Sequence, residues 1–173
     1  MMRRLAIAAV LACMLCTATV AYAATVSLYP GLGVGSARLG SLDSSAVTAL
    51  KKAFALTGKG VDNNYAGQRV YYYYFGKALP HNRNEAPHYP VEMYANKSHR
   101  VFIFEVNSPT CVTGKGIRVG STEAQLQAAY GSTLKKRTTP TYYLYSSGTA
   151  RNHTDYYVGK GTRRITRVLI SRY

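Results

Sequence analysis

The chain has 173 residues, with 22 Lys and Arg against 7 Asp and Glu, so its formal charge is +15. Sixteen tyrosines accompany no tryptophan and only three cysteines, and the 17% of charged residues against 47% hydrophobic ones excludes a highly charged disordered chain. This length suits one domain or two small ones and leaves no room for a large multidomain enzyme.

The N-terminus places Arg3 and Arg4 before an apolar run from Leu5 to Val20, then Ala21-Tyr22-Ala23. A basic start, an apolar stretch and a small-x-small site are the parts of a secretory signal peptide, predicted here over residues 1–23 and removed after Ala23. The run is shorter than the ~20 residues a spanning helix needs. Val10-Leu-Ala-Cys13 loosely matches a lipoprotein box, but Leu11 is bulky for one and the apolar run continues past Cys13. The mature protein is therefore expected to be exported, periplasmic or secreted, with no transmembrane span. Removing the signal takes Cys13 and Cys16 with it and leaves Cys111, so no internal disulfide can form. Cys111 reads as a buried small apolar residue, with reactivity in an oxidising compartment as the alternative.

Beyond the signal, Arg38-Leu-Gly-Ser41 and Arg118-Val-Gly-Ser121 each precede a helical pattern. In the first, Asp43 or Ser44 can cap a helix whose apolar positions are Val47, Leu50 and Phe54. In the second, Thr122 and Gln125 form a capping-box pair, Leu126, Ala129 and Tyr130 supply the apolar stripe, and Gly131 ends it. Strands are predicted after the first helix at Val70–Phe75, Val91–Tyr94 and Arg100–Val106, and after the second at Thr141–Ser146, Thr154–Val158 and Arg163–Ile170. The order predicts an α+β fold: two tandem helix–three-strand repeats, residues 24–108 and 112–173 with 109–111 as linker. Their antiparallel strands would form one or two sheets with the helices packed on one face. Each half is too small to bury much core alone.

The segment Gly116-Ile-Arg-Val-Gly-Ser-Thr-Glu-Ala-Gln-Leu-Gln-Ala-Ala-Tyr-Gly131 resembles the helix entry of tandem-repeat secreted proteins of the β-lactamase inhibitory protein type. It is similar, too, to the entry of single-repeat outer-membrane assembly lipoproteins. The resemblance implies a binder or scaffold without a cofactor. Members of the inhibitor family are typically disulfide-bonded, which this chain cannot copy.

Period-two alternation assigns strand faces. Phe102, Phe104 and Val106 are expected inward, as are Tyr71, Tyr73, Phe75, Val91, Met93, Tyr142, Leu144, Tyr156 and Val158. The outward set is then Tyr72, Tyr74, Glu92, Tyr94, Tyr143, Tyr145, Asp155, Tyr157, Ile165, Arg167 and Leu169. Tyrosine and arginine are favoured at binding hot spots, so Tyr72, Tyr74, Tyr94, Tyr143, Tyr145, Tyr157 and Arg167 form the candidate partner surface.

Catalytic and cofactor motifs are lacking. Each of the three Gly-Lys-Gly segments, at Gly58, Gly114 and Gly159, has Gly where a P-loop needs Ser or Thr after Lys, and reads as a turn with a basic tip. Gly31-Leu-Gly-Val-Gly-Ser36 reads as a loop. His81, Glu85 and His88 have zinc-ligand chemistry but lie in a proline-bracketed loop without an evident fourth ligand. No Gly-x-Ser-x-Gly elbow is present, so a secreted hydrolase is the weakest reading. Lys135, Lys136, Arg137, Arg163 and Arg164 form basic clusters suited to an anionic envelope polymer; export makes nucleic acid the less natural partner. The function expected is non-enzymatic binding of a protein partner, inhibition of an enzyme included.

Overall fold

The computed structural model describes residues 25–65, 67–80 and 87–172; the signal peptide expected over residues 1–23 lies outside them, as do His81 and Glu85. Among the described residues, twelve strands and two short α-helices follow one another. They are β1 (Val26–Tyr29), β2 (Gly33–Val34), β3 (Ala37–Arg38), α1 (Asp43–Leu50), β4 (Leu56–Tyr65), β5 (Gln68–Phe75), β6 (Val91–Ala95) and β7 (Val101–Val106). Then come β8 (Cys111–Thr113), α2 (Glu123–Tyr130), β9 (Lys135–Thr138), β10 (Tyr142–Gly148), β11 (Asn152–Gly159) and β12 (Ile165–Arg172).

The α+β expectation is corrected: the fold is mostly β. Eight strands form one antiparallel sheet in the order β4-β5-β6-β7-β12-β11-β10-β9, and four short ones form a second sheet, β3-β2-β1-β8, in which β1 and β8 run parallel. Geometry explains why helices cannot cover the large sheet. Each has 8 residues, about 12 Å at 1.5 Å per residue, whereas eight strands span about 34 Å. The small sheet does the rest. Its Leu28, Val34, Ala37 and Cys111 share one core with Ala46 and Leu50 of α1, Leu126 of α2 and the inward residues of the large sheet. The Gly31 N–H, in the turn after β1, donates to Thr154 Oγ1 on β11 at 2.7 Å.

Helix α1 stops at Leu50 instead of running to Phe54, because the chain turns there to enter β4, whose Leu56 pairs with Phe75. Its N-cap is Leu42, with no side-chain cap, rather than Asp43 or Ser44. Helix α2 has the capping box: Gln125 N–H donates to Thr122 Oγ1 and Thr122 N–H to Gln125 Oε1.

Six of the large sheet's strands fall on the predicted segments; β4 and β9 do not, so four strands of this sheet rather than three follow each helix. Gly58-Lys59-Gly60 is therefore strand, not turn. Opposite Gly58 and Gly60 stand Tyr74 and Tyr72, whose rings fill the space a Cβ would need. Aromatic cover of cross-strand glycines supplies the side-chain packing such a segment lacks. Part of the Gly31–Ser36 stretch is β2.

Candidate functional site

Register fixes the two faces of the large sheet. Phe75, Val91, Met93, Phe104, Val106, Tyr156, Val158, Val168 and Ile170 point into the core. On the other face, Tyr74, Glu92, Glu105, Leu169, Asp155 and Ser146 lie in one cross-strand row. Tyr72, Tyr94, Ile103, Ser171 and His153 form the next. Arg167, Tyr157, Leu144 and Arg137 form a third. Of the expected partner surface, Tyr72, Tyr74, Tyr94, Tyr157 and Arg167 lie together on this outer face.

Tyr143 and Tyr145 lie on the opposite face, because they pair with Val158 and Tyr156, whereas Leu144 pairs with Tyr157 and faces outward with Tyr142. Apolarity alone favoured Leu144 for the core, but Tyr145 is 2% exposed and its hydroxyl donates to Glu123 on α2. Burying a tyrosine ring is favourable once its hydroxyl has a partner. Ile165, expected outward, is core: a β-bulge between Tyr157 and Val158 shifts its register relative to Arg167. Phe102 is only half-buried, displaced by the matching bulge between Tyr94 and Ala95.

The two helix entries are anchored alike. Asp43 and Glu123 each open a helix, and each accepts from an inward tyrosine on the second strand that follows, Tyr73 at 2.6 Å and Tyr145. Each N–H donates to a loop carbonyl, Asp43 to His99 at 2.8 Å and Glu123 to Arg163 at 2.9 Å. The same two loop residues meet the carboxylates, His99 Nδ1 at 2.7 Å and Arg163 Nε at 2.6 Å, and both hold positive φ, 57° and 54°. Burial works to raise the Glu123 carboxyl, but hydrogen bonds from Tyr145 and Lys136 and the charges of Lys136 and Arg163 leave it below the usual range.

Of the basic candidates, Lys136, Arg163 and Arg164 lie elsewhere than the tyrosine face, whereas Lys135 and Arg137 share its side of the sheet at the β9 edge. Lys136, Lys160 and Arg163 stand 4.1, 5.5 and 5.0 Å from the Tyr143 ring centroid. Lys136 also pairs with Glu123 at 3.1 Å. Arg164 donates to the Gly120 carbonyl beside α2. Lys135 and Arg137 project outward from the edge strand β9. The outer face instead gathers four of the chain's seven acidic residues: Asp62, Glu92, Glu105 and Asp155.

At the centre of that face, Glu92 Oε1 accepts from the Tyr89 N–H at 3.1 Å and Oε2 from the Tyr94 hydroxyl at 2.9 Å. Glu105 takes Arg167 at 3.3 Å, and the Arg167 guanidinium lies 4.0 Å above the Tyr157 ring. Burial pushes the Glu92 carboxyl up, and the nearby Glu105 charge adds to that. His88, considered above with His81 and Glu85, instead reaches Glu92 and Glu105 at 3.7 and 3.8 Å. These three residues could hold a cation, but their carboxylates are already served by the donors of Tyr89, Tyr94, Asn107 and Arg167.

Ser171, His153 and Asp155 also meet on this face. One nitrogen, His153 Nε2, faces both Ser171 Oγ at 2.9 Å and Asp155 Oδ2 at 3.5 Å, and Ser171 is fully buried. A nucleophile–base–acid relay uses opposite ring nitrogens, so this arrangement is a structural hydrogen-bond cluster. Cys111 is buried in the core with its thiol pushed up to about 12 by burial, so it stays protonated and unreactive. Among the described residues, no helix is long and apolar enough to cross a membrane.

No family model and no curated protein matches the chain. Among solved structures it is similar to the uncharacterized protein yfeY from Escherichia coli, at 14% identity over 86% of this chain and 99% of that one, TM-score 0.48. It is similar as well to an extracellular protein containing an SCP domain from Bacillus anthracis str. Ames, at 7% identity over 78% of this chain and 44% of that one, TM-score 0.44.

Proposed function

We propose that this is an exported, non-enzymatic binding protein that engages a protein partner through the outer face of its large sheet, with inhibition of an enzyme as one form of that engagement. One observation carries the reading. The small sheet and both helices share the core on one side, while Tyr72, Tyr74, Tyr94, Tyr142, Tyr157 and Leu169 remain half-exposed on the other beside Arg167. Half-exposed tyrosines held by neighbours supply wide contact area at low entropic cost, the chemistry of protein-binding surfaces. The helix-entry resemblance supports the same reading, since it implies a binder or scaffold.

The experiment is affinity capture from the native envelope and secreted fractions. Wild-type protein is compared with Tyr72→Ala/Tyr74→Ala/Tyr157→Ala and with Tyr143→Ala, whose ring is on the other face. A partner retained by wild type and Tyr143→Ala but lost by the triple variant is the expected result. Equal recovery by all three would remove the proposal.

A second reading has its own observation, the convergence of Lys136, Lys160 and Arg163 on Tyr143. That cluster suits an anionic polymer. Polymer bound there would dissociate steeply with added salt, whereas a tyrosine-centred protein interface would weaken little.

A further inference from the structure

The small sheet carries an apolar tip. Tyr29-Pro-Gly-Leu32 turns β1 into β2, and Tyr29 and Leu32 are 40% and 53% exposed. With Leu42 they make three of the four large apolar side chains left exposed among the described residues. The second half has no counterpart of this hairpin. After β8 the chain turns through Gly116, whose N–H donates to the Thr113 carbonyl at 2.8 Å, and runs on to α2. The repeated unit therefore does not require the tip.

Arginines surround it. The Arg38 guanidinium lies 4.5 Å above the Tyr29 ring. The Leu39 N–H donates to the Leu32 carbonyl at 2.8 Å, which sets residues 39–42 beside the tip. There Arg100 donates to the Gly40 carbonyl at 3.3 Å and bridges to Leu42, while Arg172 reaches into the space a Gly40 Cβ would need. Gly31 packs against Asn152, the cross-strand partner of Arg172. Gly40, Asn96, Arg100 and Arg172 line a groove of about 400 Å³. Among the described residues no carboxylate forms an ion pair with Arg38, Arg100 or Arg172. Asp43, next along the chain from Leu42, is buried and engaged by Tyr73 and His99.

We infer that this patch seats the protein on an anionic lipid bilayer, with Tyr29 and Leu32 at the headgroup–acyl boundary and Arg38, Arg100 and Arg172 on lipid phosphates. An apolar tip ringed by cations matches a surface that is negative outside and apolar beneath. A soluble polyanion supplies the charge but nothing for Leu32 to enter. Guanidinium forks pair with phosphate oxygens, and each basic residue near such a surface adds about fivefold in affinity. Arg172 is two residues from the core residue Ile170 on β12, so alternation sets it on the side away from the outer tyrosine face. Docked this way, the chain keeps that face open to a partner, and the inference does not depend on the partner reading.

The test is co-sedimentation of the full mature protein with vesicles of phosphatidylcholine alone and of phosphatidylcholine with about 30% phosphatidylglycerol, at about 0.1 M salt. Binding is expected only to the anionic vesicles. Arg100→Gln/Arg172→Gln should weaken it at least about tenfold and Leu32→Ser about fivefold. Lys51→Gln/Lys52→Gln removes the same charge from the exposed turn after α1 and should weaken it less than about threefold. The chain has no tryptophan, so Leu32→Trp reports insertion: its emission should shift to the blue on anionic vesicles and be quenched by brominated acyl chains. No binding, or binding with unshifted emission, overturns the inference. Equal weakening by the lysine and arginine pairs reduces the effect to net charge and overturns it as well. So does binding that Leu32→Ser leaves unchanged and soluble polyphosphate displaces completely, which assigns the patch to a polyanion. If the arginine pair fails to fold, Leu32→Ser and Leu32→Trp, at an exposed turn, decide the matter. No outer-face tyrosine is changed, so failure here leaves the capture experiment untouched.

Discussion

Asp43 and Glu123 show how much one carboxylate can do at a helix start. Each satisfies the hydroxyl of an inward tyrosine, favours the positive end of the helix dipole and ties down a loop residue in the left-handed region. Non-glycine residues at positive φ are uncommon, so the contacts of His99 and Arg163 with these carboxylates offset a backbone cost. Glu123 is nearly fully buried and its native carboxyl is depressed, so its contribution is present above the ordinary glutamate value and fades as pH falls through the lower native one. Glu123→Ala should cost about 2 kcal/mol in urea unfolding at pH 7, with the deficit shrinking below about pH 4. Glu92 has the opposite sign: its native carboxyl is raised, so wild-type stability falls as pH climbs from the ordinary glutamate value to the raised native one, and Glu92→Gln should flatten that decline. The sequence marked Asp43 as a helix start but not the partnership of Glu123 with Tyr145, which lies 22 residues away. That distance is why local alternation places Tyr145 on the wrong face. A tyrosine's preference for the interior depends on where its hydroxyl goes, and local alternation carries no record of that.

The outermost strands of the large sheet, β4 and β9, escaped the pattern that revealed the six between them. Leu56–Tyr65 has two glycines and a run of polar residues, and Lys135–Thr138 reads KKRT, wholly exposed. Both are strands because a neighbour pairs with them, and propensity is weak beside that context. Their composition serves the edge: charged side chains on an unpaired edge discourage a second sheet from adding to it. Lys135→Val/Arg137→Val should therefore associate with concentration in size-exclusion chromatography, where wild type elutes unchanged. At β4, the Tyr72 ring occupies the space beside Gly60. Gly60→Ala should destabilise by about 1–3 kcal/mol despite alanine's lower entropy cost. Gly114→Ala, with nothing near the new methyl group, should change stability by less than about 0.5 kcal/mol. Comparing the two urea midpoints separates ring displacement from any general intolerance of glycine replacement.

At the scale of the molecule, chain order runs β4 to β7 inward from one edge and β9 to β12 inward from the other, so the halves meet where β7 pairs with β12. A second junction is the parallel pair of β1 with β8. The sequence offered the matched helix entries but not these junctions, since which strands become neighbours across a long connection depends on register and shared burial rather than on either segment alone. The junctions make cooperative unfolding a direct consequence: Phe104, fully buried on β7, packs in the common core and pairs with both Met93 and Ile170. Phe104→Ala should cost about 3–5 kcal/mol. Under native conditions it should lower amide exchange protection in β5 and in β10 by the same free energy, although these strands lie in opposite halves. A loss confined to β4–β6, with β10 and β11 as protected as in wild type, would show that the β7–β12 ladder joins two independently opening units. In that case a partner seated across the outer face would bind two platforms that move relative to each other, and the Arg167 and Tyr94 positions would cease to act as one surface.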